Sequence, residues 1–168
     1  MNGTHNTTKP GAAKILQLRV RTTIPERQQF RPSQAAGLIL KGELPPNSDV
    51  NGHLCFKAGR NPIIPKGTHI RGRLTLLDCG ERTYLGRDIT IDGTADFSMT
   101  LLKKLPENLT IHCGLDVSDT LIQEFPASLQ VDTLIQCNRP TAQMRRFMDE
   151  HERKKKGRKV ATISRPRQ

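Results

Sequence analysis

Val50-Asn-Gly-His-Leu54-Cys-Phe56 returns as Ile70-Arg-Gly-Arg-Leu74-Thr-Leu76, then as Ile91-Asp-Gly-Thr-Ala95-Asp-Phe97 and Ile111-His-Cys-Gly-Leu115-Asp-Val117. A fifth, degraded copy reads Val131-Asp-Thr-Leu-Ile135-Gln-Cys137. The spacing is 20 or 21 residues, and apolar side chains hold positions i, i+4 and i+6 in every copy. Other positions march with them. Gly52, Gly72 and Gly93 share one slot, later filled by Cys113 and Thr133. Leu44-Pro45, Ile64-Pro65, Leu105-Pro106 and Phe125-Pro126 mark one corner of each unit, with Leu85-Gly86 standing in once. Thr100 and Thr120 share a turn slot with Cys79.

The alternation within each copy is that of a strand with one face in and one out. A unit of 20 residues is too short for two strands and a full helix, and recurring Gly and Pro corners break it into short sides. The repeat therefore predicts a solenoid of short parallel strands, each coil stacked on the next at about 4.8 Å, so that five coils span roughly 24 Å. Equivalent inward positions should form aliphatic ladders, Val50/Ile70/Ile91/Ile111/Val131 and Leu54/Leu74/Ala95/Leu115/Ile135. The expected fold class is mainly β, a right-handed β-solenoid of about five coils with a C-terminal capping helix and basic tails.

The stretch Leu105-Pro-Glu-Asn-Leu109-Thr-Ile-His-Cys-Gly-Leu115-Asp-Val-Ser-Asp-Thr120-Leu-Ile122-Gln-Glu-Phe125-Pro resembles the short leucine-rich-type repeats of bacterial and phage-encoded proteins. The glycine-and-aliphatic ladder also resembles bactofilins, right-handed β-helical proteins that polymerise end to end without nucleotide. The likeness covers residues 44–137, departs at Leu85-Gly86 and at the missing fifth glycine, and implies architecture rather than activity.

The 168-residue chain is 35% apolar, has no Trp and one Tyr, and carries a net charge of +11, so its core must be aliphatic. The charge is uneven. Residues 1–36 carry six basic groups and one acid, residues 37–138 ten and twelve, and residues 139–168 eleven and three. A near-neutral body with two basic ends points to a polyanionic partner, nucleic acid before membrane. No apolar run approaches a membrane span and no continuous signal-peptide core is present, so a cytoplasmic protein, or one inside a particle assembled there, is expected. Cys55, Cys79, Cys113 and Cys137 form no CxxC pair and read as reduced thiols.

Five segments follow: a flexible arm over 1–13, an N-terminal strand or irregular cap over 14–43, the solenoid over 44–138, an amphipathic capping helix over 139–157, and a basic tail over 158–168. In the arm-proximal segment Ile15-Leu-Gln-Leu-Arg-Val20 alternates like a strand, and Ile24-Pro25 stands one period before Leu44-Pro45, hinting at an irregular preceding coil that includes Phe30. Pro140-Thr141 is a helix start and Gly157 a stop. Between them Met144, Phe147, Met148 and His151 fall on one face, either to cap the last coil or to bind a partner.

Catalytic signatures are absent: no P-loop, GxSxG, HExxH or GxGxxG motif occurs. The four cysteines fall in four different columns of the repeat, which argues against a shared metal or redox pair, and no cofactor is expected. Asp96 and Asp116 share an outward column at a spacing a retaining glycosidase would need, yet no aromatic sugar platform accompanies them. His53, His69 and His112 occupy separate columns and read as surface residues.

The strongest functional signal is cationic. Arg145, Arg146, Arg153, Lys154, Lys155, Lys156, Arg158, Lys159, Arg165 and Arg167 form a dense C-terminal set, which Arg19, Arg21, Arg27 and Arg31 extend. Such density suffices for phosphate binding through counterion release, without base stacking. Arg71 and Arg73, with Met144, Phe147 and Met148, are candidates for a protein partner. The expected function is a non-enzymatic scaffold that grips a polyanion through its ends while its solenoid docks a protein. The alternatives are an assembly protein, bactofilin-like or part of a bacterial or viral particle, and an effector binding a host protein.

Overall fold

The computed structural model describes residues 26–163, and side chains through residue 156. Three stacks of parallel strands make the walls of a β-solenoid. The first wall contains β1 (Gln29–Phe30), β2 (Asp49–Val50), β5 (His69–Ile70), β8 (Thr90–Ile91), β10 (Thr110–Ile111) and β12 (Gln130–Val131), adjacent in that order. The second contains β3 (Leu54–Lys57), β6 (Leu74–Leu77), β9 (Ala95–Asp96), β11 (Leu115–Asp116) and β13 (Ile135–Gln136). The third pairs only β4 (Ile63–Ile64) with β7 (Tyr84–Leu85). Two helices, α1 (Pro32–Lys41) and α2 (Ala142–Ile163), complete the described chain.

Both expected ladders are present in register. Val50 pairs with Ile70, Ile70 with Ile91, Ile91 with Ile111 and Ile111 with Val131. Leu54, Leu74, Ala95, Leu115 and Ile135 follow likewise in the second wall. All ten side chains are buried, and with Phe56, Leu76, Phe97 and Val117 they fill the interior from end to end. Because each coil's apolar positions face their own equivalents, the core is a set of columns rather than a cluster.

Corners need backbone that turns sharply. Asn47, Gly67, Asp88 and Asn108, one per coil after the Leu-Pro, Ile-Pro or Leu-Gly step, all have φ between 56° and 70°. Gly, Asn and Asp tolerate this left-handed region at least cost. At Gly67 a β-carbon would also collide with the Asn47 side chain. The buried hydroxyls at the corners turn inward on their own chain. Ser48 Oγ donates to the Pro45 carbonyl at 2.6 Å and Thr68 Oγ1 to that of Pro65 at 2.8 Å. Thr100 and Thr120 do the same at the opposite turn, to Phe97 and Val117.

The C-terminal helix is present as expected, and the two ends differ from expectation in detail. Within the segment 14–43, expected to be a strand or irregular cap, residues 32–41 form a helix. Pro32 opens it in the first turn, where its missing N–H costs nothing, and Gly42 in the left-handed conformation closes it. Ala35 and Ile39, one turn apart, are fully buried, and α1 packs against β4. Phe30 does belong to an incomplete preceding coil, since β1 pairs with β2. The strand expected over Ile15–Arg21 and the arm over 1–13 lie outside the described residues.

At the other end α2 does not stop at Gly157 but runs to Ile163, so Arg158 and Lys159 belong to a helix and not to a loose tail. Thr141 Oγ1 caps it, accepting from Met144 N at 3.2 Å while donating to the Gln123 carbonyl at 2.7 Å. Met144 is 1% exposed, Phe147 and Met148 pack on the core, and Phe147 meets Phe125 edge-on at 5.4 Å. These three side chains pack on the fifth coil: Met144, expected to touch a partner, is enclosed there, while Phe147 and Met148 stay partly exposed.

Candidate polyanion-binding surface

The cap fixes which side of α2 looks outward. With Met144, Phe147 and Met148 turned to the coil, Arg145, Arg146, Arg153, Lys154 and Lys156 are exposed and Lys155 is half-buried. Over residues 142–156 six cations face three acids. Some of that charge is spent internally. Lys154 Nζ lies 2.7 Å from Glu150, whose carboxyl this hydrogen bond and charge hold below the ordinary carboxylate value. Lys155 Nζ donates to the Thr133 carbonyl and lies 3.6 Å from Glu152. Among the described residues no ion pair engages Arg145, Arg146, Arg153 or Lys156. Arg158 and Lys159 continue the same helix, and Arg165 and Arg167 lie outside the described residues.

The N-terminal cations divide. Arg19 and Arg21 fall outside the described residues and Arg31 is exposed. Arg27 and Arg71 are instead drawn to Asp49, at 3.2 and 2.8 Å. Asp49 is only 3% exposed, and His69 Nδ1 stands 3.7 Å from it while His69 Nε2 reaches Asp92 at 2.8 Å. Burial alone would raise the Asp49 carboxyl. Hydrogen bonds from Arg71 and Arg27, with the charge of His69, outweigh it and hold the group below its ordinary value. Arg27 and Arg71 are therefore engaged in stitching neighbouring coils, a role that displaces the phosphate and partner contacts expected for them. Arg73 remains exposed, its N–H donating to His53 Nδ1 at 2.8 Å.

The candidate chemistry of the walls resolves into local structure. Asp96 and Asp116 are register partners, but Asp96 accepts from Ser98 N and Oγ at 3.0 and 2.6 Å, and Asp116 from Ser118 N at 2.8 Å. Each carboxylate is tied into its own turn. The four cysteines are free, and burial pushes the Cys79 thiol up to about 11, with Asp78 and Cys55 adding to it, so it is a poor nucleophile. Among the described residues no three metal-type ligands gather, and no described helix is long and apolar enough to cross a membrane.

One surface escaped the sequence reading. Tyr84, Leu101 and Leu121, each 44–58% exposed, line a groove of about 620 Å³ with Lys103 and Lys104 on the third wall. The signal was the doublets Leu101-Leu102 and Leu121-Ile122, of which only the second member can point inward. Compared with known proteins, the chain matches no family model, no curated protein and no solved structure.

Proposed function

We propose that the protein is a non-enzymatic, helix-capped β-solenoid that binds a polyanion, nucleic acid first, through the outward face of α2 and the basic residues beyond it. The observation that carries this reading is a rigidly mounted helix whose exposed Arg145, Arg146, Arg153 and Lys156 lack ion-pair partners among the described residues. Cations carried on an already folded helix need no backbone ordering to meet phosphate, and each neutralised phosphate releases counterions. Without interleaved aromatics the binding is sequence-tolerant. The solenoid serves as the mount, and its third-wall groove as the place where a protein partner docks. A cytoplasmic setting fits both roles. End-to-end polymerisation is disfavoured because α1 and α2 cover apolar surface at the two ends.

The test is binding of labelled single- and double-stranded nucleic acid across a salt series, comparing full-length protein with the variant Arg145→Gln/Arg146→Gln/Arg153→Gln/Lys156→Gln, which leaves the cap intact. Four lost phosphate contacts should reduce the slope of log K against log salt by about 3.6 on duplex DNA. Binding that is indifferent to salt, or to the four substitutions, rejects the reading.

A further inference from the structure

Gly86 N–H donates to the Ile64 carbonyl at 2.8 Å, a bond that ties β7 to β4. Pro106 and Pro126 hold the same corner in the next two coils and have no N–H to give, so the ladder of the third wall ends at β7. Residues 101–105 and 121–125 carry the wall onward outside any strand. Their exposure follows one pattern. Leu101, Lys103 and Lys104 are exposed while Leu102 and Leu105 are buried, and one coil later Leu121, Gln123 and Glu124 are exposed while Ile122 and Phe125 are buried. The groove beside Tyr84 and Leu101 runs on into a second hollow of about 910 Å³, which shares Lys103, Lys104 and Leu121 with it and reaches the start of α2.

Large apolar side chains this exposed, side by side on one wall, mark a docking surface. The charges among them say for what. The two hollows hold the cations Lys103, Lys104 and Arg139 and the acids Glu81 and Glu124. Among the described residues none of the three cations enters an ion pair, and Glu124 accepts only from Gln143 Nε2 at 3.4 Å. A partner of a single sign would meet repulsion at part of this surface. Charges that nearly balance, yet stay unpaired within one chain, suit a face that meets its own copy.

We infer that the third wall pairs with the third wall of a second copy of this chain. The two solenoids run antiparallel about a two-fold axis that lies along the strand direction, between the coil of Leu101 and the coil of Leu121. Such an axis keeps every column and exchanges the coils, so each contact is made twice. Leu101 meets Leu121 of the second copy, and Lys104 meets its Glu124. The inference rests on the docking role given above to the third wall and names the partner; it does not depend on the polyanion reading of α2. From Tyr84 to the start of α2 the face measures roughly 20 Å each way at strand and coil spacings. Two copies then cover on the order of 800 Å², less than a standard interface, so the dimer is weak and exchanging, with a Kd of about 100 μM.

Sedimentation of the full chain, from about 10 μM to 1 mM at fixed ionic strength, brackets that Kd. It compares wild type, Lys104→Glu, Glu124→Lys and an equimolar mixture of the two variants. Each variant alone sets like charges opposite one another at both contacts, and its self-association should fall about tenfold or more. In the mixture those contacts are again opposite in sign, so the two variants should associate with each other about as tightly as wild type does with itself. Each chain keeps its own substitution, so this recovery cannot come from repair within one chain. A wild type that stays monomeric overturns the inference and leaves the groove to a different protein. A dimer indifferent to both reversals places the contact elsewhere and also overturns it, as does a mixture that fails to associate. Duplex binding by the same variants, read at concentrations far below the dimer Kd, tests the polyanion reading by itself, since neither substituted residue is on α2.

Discussion

Gly93→Ala is the sharpest perturbation the coil geometry offers. Gly52, Gly72 and Gly93 lie one above another, and a β-carbon on Gly93 would stand 2.8 Å from both the carbon and the oxygen of the Gly72 carbonyl and 3.0 Å from Arg73 N. Those atoms are backbone and cannot swing away. The same approach lets Gly93 N–H donate to Gly72 O at 2.9 Å. The next coils show what a side chain does in this slot. Cys113 occupies it in the fourth coil with its Sγ 3.6 Å from the Asp92 carbonyl, and Thr133 N reaches Cys113 O only at 3.4 Å. An added methyl should therefore stretch the coil-to-coil bond, costing about 1 kcal/mol for the weakened hydrogen bond and about 1–3 kcal/mol for crowding. Reduced freedom of the unfolded chain offsets about 0.4–1 kcal/mol. The net expectation is a loss of about 1–3 kcal/mol, or roughly 2–10 °C in Tm for a chain of this size. Gly37→Ala is the control. It lies exposed in α1 with nothing within 4 Å of its β-carbon, and should gain about 1 kcal/mol from helix propensity. Urea and thermal melts of the pair must shift in opposite directions. A Gly93→Ala protein as stable as wild type would mean that stacked glycines do not set the coil spacing.

Two other outcomes are expected. Asp49→Asn should cost about 2 kcal/mol at neutral pH, because it leaves Arg27 and Arg71 facing a neutral amide at a buried position. The folded carboxyl lies below its ordinary value, so its contribution is present above that value and is lost as pH falls through the folded one. Urea melts should thus show the gap between wild type and Asp49→Asn closing as pH falls below the ordinary carboxylate range, and a gap that persists in acid after the carboxyl is protonated contradicts the ion-pair account. Phe147→Ala should loosen α2 by about 1–3 kcal/mol, since the ring is packed on the core but not fully enclosed. Hydrogen exchange should accelerate in α2 and β13 while β5 and β8 stay protected; uniform acceleration would show that the cap is not a separable unit.

The ladders were legible because a repeat of 20 writes each column of the core several times over, and Ile70, Ile91 and Ile111 could hardly be read otherwise. The helix α1 was not, because it replaces one side of an incomplete coil and so has no copy elsewhere. Its local marks, Pro32 at the start, Ala35 and Ile39 at helical spacing and Gly42 at the end, were there to be read. Gly157 was misread as a stop; inside a run of helix-forming Lys and Arg, one glycine costs only about 1 kcal/mol and does not end a helix. Of the candidate site, the cations of α2 could be read from density alone. The withdrawal of Arg27 and Arg71 could not, since it depends on Asp49 being buried. Even so, residues 27, 49 and 71 are spaced by 22, close enough to the coil period to bring them together.

The in-register stacking of coils has a kinetic consequence. Ile91 and Ile111, like most paired residues here, are 20 positions apart in a chain of 168, a relative separation near 0.12. That value belongs with small helical bundles rather than with β-sandwiches, whose partners come from distant parts of the chain. Each coil closes a loop of 20 or 21 residues and lands on a template already formed. Assembly can then spread from any coil in either direction, like a zipper.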